Sequence, residues 1–242
     1  PEGALFDVIN PANGDVVGQV PDGNAASARS AIEAAAAAFG SWSKTTAHAR
    51  SAILYKAWQL MLERKEDLAR TMTLEQGKPL RAATTEVQYA ADFLLWFAEE
   101  AKRSYGETIP SARADQRFIV SHYPVGVVAA ITPWNYPVSM ITRKVGPALA
   151  AGCTVVLKPA EATPLCAIKV FEILTEAGLP DGVINLVTTS NPAPVGEEFV
   201  SNPLVRKLTF TGSTAVGKML AGKAAGNMKR VSCELGGHAP FL

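Results

Sequence analysis

Cysteine is scarce in this chain. Among 242 residues there are three, Cys153, Cys166 and Cys233, in apolar or mixed surroundings and without C-x-x-C spacing. An odd, sparse set argues against a disulfide framework and fits a reducing compartment, so a cytoplasmic location is expected. A charge excess is missing too. Lysine and arginine total 23 against 22 aspartates and glutamates, a net charge of +1. That balance gives no reason to expect nucleic acid or an anionic membrane surface as partner. Long hydrophobic runs are also absent. The longest apolar stretch, Val145 to Leu157, contains Gly146, Pro147 and Gly152, and falls short of the ~20 residues that a membrane helix needs. The opening, Pro1 to Asn13, is polar and turn-rich and does not read as a targeting segment. A soluble chain able to bury a full core is expected, in one large domain or two small ones.

The first half reads as helices. Asn24 can cap a segment to about Phe39, with Ala28, Ile32, Ala35 and Phe39 on one face. Ile53, Ala57, Leu60 and Met61 repeat the helical spacing, and Leu68 and Met72 continue it until Gly77 and Pro79 stop it. A further helix runs from about Thr84 to Lys102. Between Ile109 and Pro124 the β-prone run Arg117 to Tyr123 suggests a protruding strand or hairpin arm.

From Gly126 the rhythm changes. Short apolar runs at Gly126–Ile131, Cys153–Leu157, Val183–Val187, Lys207–Phe210 and Arg230–Cys233 alternate with amphipathic segments, and Thr163-Pro164 predicts a helix N-cap with proline at the first turn. Continuous apolar strands imply burial on both faces. The expected fold is therefore α/β, a Rossmann-like open parallel sheet with flanking helices, preceded by a helical N-terminal region. In such sheets ligands sit outside the carboxyl ends of the strands.

The segments just after these strands carry the chemistry. Thr132-Pro-Trp-Asn-Tyr-Pro137 holds Trp134 and Asn135 between prolines, where an amide N–H could meet a developing oxyanion; by itself the segment also reads as an Asn turn beside a packed Trp. Lys158-Pro-Ala-Glu161 could hold a ribose, and the Glu161 carboxylate would repel a 2′-phosphate, favouring NAD over NADP; a solvated Lys–Glu pair is the plainer meaning. Thr211-Gly-Ser-Thr-Ala-Val-Gly217 opens a helix and offers free N–H groups to a pyrophosphate, or simply a cap. It also approaches a Walker A loop, Gly212 to Gly217-Lys218, but Met219 stands where a magnesium-binding Ser or Thr is needed. Glu234-Leu-Gly-Gly237 offers a general base, or an exposed Glu before a turn.

In this order, with Glu75-Gln-Gly-Lys-Pro79 upstream, these segments resemble the aldehyde dehydrogenase superfamily over essentially the whole chain, and Met140 to Gly146 and Ala150 to Val156 are most similar to its succinate-semialdehyde dehydrogenase branch. The resemblance implies NAD(P)-dependent oxidation of an aldehyde, succinate semialdehyde first, to the acid. It assigns Asn135 to the oxyanion site and Glu234 to the general base. Lys158 and Glu161 would hold the adenosine ribose, Ser213 the pyrophosphate, and Gly212 to Gly217 the turn around it. Trp134 would line the cofactor channel, with Thr132, Pro159, Ala160, Gly196, Phe210, Thr214, Leu235 and Gly236 also at the cofactor. Arg143 would face the substrate carboxylate; with Lys144 beside it, a charged helix face is the alternative.

The resemblance also implies a homo-oligomer, dimer or tetramer, built with the Ile109–Pro124 arm. The whole chain then reads as a dinucleotide-binding domain: a mainly helical part (1–106), the arm (107–125) and the sheet (126–242), without a catalytic domain. In the family an attacking cysteine follows Glu-Leu-Gly-Gly by a few dozen residues, whereas this sequence ends at Leu242. Cys153, Cys166 and Cys233 read as structural, so a fragment inactive on its own and weak in NAD binding is expected. Other aldehydes, a phosphate-loop nucleotide-binding module and a non-catalytic assembly protein are the rival readings.

Overall fold

A computed structural model describes residues 3–237. It opens on strands, not helices: β1 (Leu5–Ile9) and β2 (Val16–Pro21) pair antiparallel. This hairpin was not anticipated in the mainly helical part expected for residues 1–106. The turn signal was sound, since Asn10 Oδ1 accepts the Ala12 N–H at 2.9 Å and Gly14 adopts φ +81°. The strands escaped notice because Val8 and Val20 are their only buried side chains, too few to imprint an alternation.

Helix α1 (Ala25–Trp42) starts at Asn24, whose side chain accepts the Ala26 and Ser27 N–H groups while Ser27 Oγ accepts the Asn24 N–H. This is a capping box with serine in the third position. The helical run expected through Met72 is two helices, α2 (Ala47–Glu63) and α3 (Lys65–Gln76), broken at Arg64 with φ −98° and ψ 17°. Gly77, at φ +77°, ends α3 in the left-handed conformation that glycine adopts most readily. Helix α4 (Leu80–Glu100) and a 3-10 turn (Ala101–Arg103) lead to a two-stranded antiparallel arm, β3 (Glu107–Ile109) and β4 (Phe118–Val120), with every residue exposed.

The main sheet comprises β5 (Val127–Ile131), β6 (Thr154–Lys158), β7 (Ile184–Leu186), β8 (Val205–Thr211) and β9 (Arg230–Glu234), all parallel, in the order β7-β6-β5-β8-β9. Helices α5 (Ser139–Ala150), α6 (Pro164–Glu176), α7 (Pro192–Ser201) and α8 (Thr214–Ala225) connect successive strands. This is the expected α/β architecture. Strand alternation feeds two cores. Ala130, Val155 and Leu157 face the layer of α2 to α6, whereas Val127, Ala129, Val156, Leu208 and Phe210 face α1, α7 and α8. Every residue of β5 and β6 is buried, which explains their unbroken apolar runs. Among the described residues, no helix is long and apolar enough to cross a membrane.

Two buried carboxylates start the helices behind the sheet. Glu86 Oε1 accepts the N–H groups of Val138 and Ser139, at 3.0 and 3.2 Å, at the head of α5, and its other oxygen pairs with Lys78. Glu75 accepts those of Leu165 and Cys166, at 2.7 and 2.9 Å, at the head of α6. Thr163 is the N-cap residue of α6 with Pro164 in its first turn, as expected. Its side chain makes no cap bond, however, and its hydroxyl is buried with no partner among the described residues. Pro164 has no N–H to offer, and a carboxylate aimed at the next two is the stronger acceptor.

Burial pushes the Glu75 carboxyl up from its ordinary 4.5 to about 7, against the lowering effect of those hydrogen bonds. An acid whose folded value is raised binds more protons folded than unfolded, so stability falls as pH rises between 4.5 and about 7. The linkage is on the order of 3 kcal/mol from this one group. Glu75→Gln should remove this dependence. Its melting temperature, measured across that window, is expected to rise relative to the parent as pH increases; a constant difference would contradict the assignment.

Candidate active site

Strands β6 and β7 are laid down on one side of β5, and then the chain crosses over to place β8 and β9 on the other. The loops after β5 and β8 therefore diverge at the sheet's carboxyl edge, leaving a crevice at the switch point. A cavity of about 480 Å³ occupies it. Of the residues anticipated at a cofactor, Thr132, Trp134, Lys158, Ala160, Glu161, Gly196, Phe210, Gly212 and Ser213 line this cavity. Pro159, Thr214, Gly217, Leu235 and Gly236 do not line it. Thr214 Oγ1 instead donates to the Gly236 carbonyl at 3.2 Å, and Gly217 lies against the Leu235 side chain, so these residues tie the start of α8 to the segment after β9.

Local chemistry sets each wall. The Thr132 N–H bonds the Lys158 carbonyl at 3.2 Å, holding the β5 loop beside the end of β6. The Lys158 ammonium pairs with Glu161; its side chain is 5% exposed and that of Glu161 40%, so the pair is an anchored cation presenting a carboxylate, not two solvated charges. Ser213 caps α8 through the Val216 N–H at 3.4 Å. Gly212 is set by close approach, since a Cβ there would lie 2.6 Å from Cζ of the Phe210 ring. The Thr211 hydroxyl is buried at the cavity wall with no partner among the described residues. Trp134, 60% exposed, offers its ring at the rim. A reachable carboxylate, a helix N-terminus, an orphaned hydroxyl and a crevice kept open by glycine fit a dinucleotide.

Asn135 and Glu234 lie beyond the cavity lining, each exposed at a strand's carboxyl end. The Glu234 carbonyl accepts the Gly212 N–H at 3.2 Å, joining the two loops. The Asn135 backbone carbonyl accepts from Lys78 Nζ at 2.7 Å and Gln76 Nε2 at 3.0 Å. Arg143 lies apart, on α5, in a second cavity of about 410 Å³ that Lys144, Lys207 and Arg230 also line. Its guanidinium stands 5.5 Å from the Phe93 ring centre and 3.9 Å from Met140 Sδ, with no carboxylate partner among the described residues. Lys144 is not part of a charged helix face. It is buried and bonds Thr209 Oγ1 at 3.0 Å, and burial, aided by the Arg143 charge, pushes its ammonium down to about 8.

Sequence reasoning missed Pro192, Ala193, Leu220 and the Glu197–Lys223 ion pair in the cavity wall. Only the proline carried a local signal, opening α7 after Asn191. The grip of Gln76 and Lys78 on Asn135 spans 59 and 57 positions and leaves no local trace.

Known proteins meet this geometry at the same point. The aldehyde dehydrogenase family model matches residues 1–242, and the chain belongs to that family. It is 57% identical over 240 residues to the succinate-semialdehyde dehydrogenase (NADP(+)) of Escherichia coli K12, covering 99% of this chain and 50% of that protein. It is 55% identical to the glutarate-semialdehyde dehydrogenase of Pseudomonas aeruginosa, over 99% of this chain and 50% of that one. The crystal structure of an E. coli NADP-dependent enzyme superposes with a TM-score of 0.96 at 57% identity, over 98% of this chain and 49% of that one. The chain thus spans about half the length of the curated relatives it matches.

Gly212→Ala is expected to force the Phe210 ring aside and to destabilise by about 1–3 kcal/mol, the usual range for overpacking. Urea denaturation measures it. Gly222→Ala on α8, where a Cβ meets open space, is the control and should gain roughly 0.5–1 kcal/mol.

Proposed function

We propose that the full-length protein containing this chain oxidises a small carboxylated aldehyde, succinate semialdehyde first, to its acid with NAD(P). The observation that carries this reading is the switch-point cavity, where the loops after β5, β6 and β8 bring Trp134, the Lys158–Glu161 pair and the Ser213 helix start together. Lys158 and Glu161 hold the adenosine ribose and Ser213 the pyrophosphate. The dinucleotide supplies the hydride acceptor.

The chain's own residues serve the addition and hydrolysis steps. A thiolate adding to the aldehyde carbon leaves an alkoxide, which the Asn135 amide stabilises by donating a hydrogen bond. Once the hydride has left that carbon a thioester remains, and Glu234, exposed at the end of β9, takes a proton from the water that cleaves its C–S bond, releasing the acid and the thiol. None of the three thiols suits the attack. Burial pushes Cys153 and Cys166 up, and Cys233 is half-buried within β9. The nucleophile is therefore assigned to residues outside these 242, which alone are expected to be inactive.

Arg143 faces the substrate carboxylate, a role supported by a half-buried guanidinium without an acidic partner among the described residues. The glutarate-semialdehyde dehydrogenase relative makes the one-carbon-longer aldehyde the second reading. The Glu161 carboxylate favours NAD, whereas the E. coli relative is named for NADP(+). Lys158, already paired, leaves little charge for a 2′-phosphate. The three free thiols support a cytoplasmic setting.

Steady-state assays of the full-length protein with both semialdehydes and both dinucleotides test the reading, and no reduced dinucleotide from either substrate would sink it. Arg143→Ala should raise KM for the carboxylated aldehydes by roughly 10- to 100-fold and leave uncharged aldehydes nearly unchanged; an equal effect on both would reject the carboxylate role.

The exposed β3–β4 arm, with Ile109, Phe118, Ile119 and Tyr123 uncovered, is assigned to pairing subunits as a dimer or tetramer. Light scattering should give a multimer for the parent and a smaller species for Ile119→Lys; an unchanged mass would remove the arm from the interface.

A further inference from the structure

Asn135 sits on a loop that two other segments grip. Lys78, in the turn between α3 and α4, and Gln76, the last residue of α3, both donate to its backbone carbonyl, at 2.7 and 3.0 Å. A carbonyl oxygen has two lone pairs, and both are used. The Lys78 ammonium is nearly enclosed, its side chain 12% exposed. Besides that carbonyl it meets the Glu86 carboxylate and, 4.2 Å away, the face of the Tyr136 ring. Glu86 in turn holds the Val138 and Ser139 N–H groups, just past Pro137. The loop is thus clamped on both sides of its central peptide, and prolines fix φ at positions 133 and 137. Among the described residues, no hydrogen bond occupies the Asn135 side chain.

We infer that Lys78, backed by Glu86, is a positioning residue that aims the Asn135 amide at the reacting oxygen. The inference rests on the oxyanion role proposed for Asn135. Holding the peptide plane between residues 135 and 136 places the Asn135 Cα and limits the directions in which its side chain leaves the backbone. That direction is what an oxyanion donor must have set before reaction. Lys78 lines neither the switch-point cavity nor the Arg143 cavity, and acts through this peptide.

In the full-length enzyme, Lys78→Met should lower kcat ~10- to 100-fold, the range expected for a misplaced reacting group. KM for the aldehyde and Kd for the dinucleotide should stay within about twofold, because neither ligand loses a contact. In an Asn135→Ala background the same change should add nothing, since both act on one interaction. An unchanged kcat, or a full further loss on top of Asn135→Ala, would overturn the inference. Lys78→Met/Glu86→Gln removes the uncompensated carboxylate; if it regains both melting temperature and kcat, Lys78 is merely structural.

One arm needs no turnover. The Asn135 side-chain amide resonances should shift and broaden in Lys78→Met and stay in place in Lys65→Met. If the unmodified enzyme oxidises no aldehyde, the proposed activity fails while these resonances still decide whether Lys78 positions Asn135.

Discussion

Strand β5 is the constraint on which the other elements depend. All five of its residues are buried, and it pairs in parallel with β6 on one side and β8 on the other. A strand in that position has no free edge and no wet face, so its neighbours must be covered by helices above and below. Its alternation assigns Ala130 to one core and Val127 and Ala129 to the other. Because the chain builds outward from β5 in one direction and then in the other, the loops at its carboxyl end and that of β8 part there. The crevice is a consequence of the winding. The sheet would have it whatever residues lined it; Phe210, Gly212 and the Lys158–Glu161 pair give it its chemistry.

Charge is handled differently behind the sheet and at its mouth. Behind it, Glu75 and Glu86 are nearly inaccessible and are spent on the starts of α6 and α5. Glu86 has Lys78 as a counter-ion, whereas burial drives Glu75 toward its neutral form. At the mouth, carboxylates stay reachable. Glu161 is anchored by a buried lysine and Glu234 stands at an exposed strand end. The same residue type thus caps a helix where water is excluded and remains available to a ligand where it is not.

Much of the fold was legible in order. The five parallel strands lie within a residue or two of the apolar runs that announced them, and Asn24 caps α1 as its residue type suggested. Legibility failed where the stabilising partner is remote. The β1–β2 hairpin buries two side chains and leaves almost no periodicity. Thr163 is the N-cap residue by position, but Glu75, 90 positions before Leu165, accepts the α6 N–H groups in place of its hydroxyl. The break at Arg64 separates two helices whose apolar spacing runs on unbroken.

The candidate site divides the same way. The amino-acid sequence alone pointed to the loops after β5, β6 and β8 that line the crevice, because proline, glycine, asparagine and paired charges after an apolar run are local signals of turns, caps and polar groups. It also determined the family, through motifs that occur in a set order. Only the tertiary structure decided which of those residues share a cavity, that Arg143 stands in a different one, and that Lys78 and Gln76 hold the Asn135 peptide. The physical reason is distance along the chain. Hydrogen bonds and burial depend on separation in space, and segments far apart in sequence acquire it only when the sheet and its helices have closed around β5.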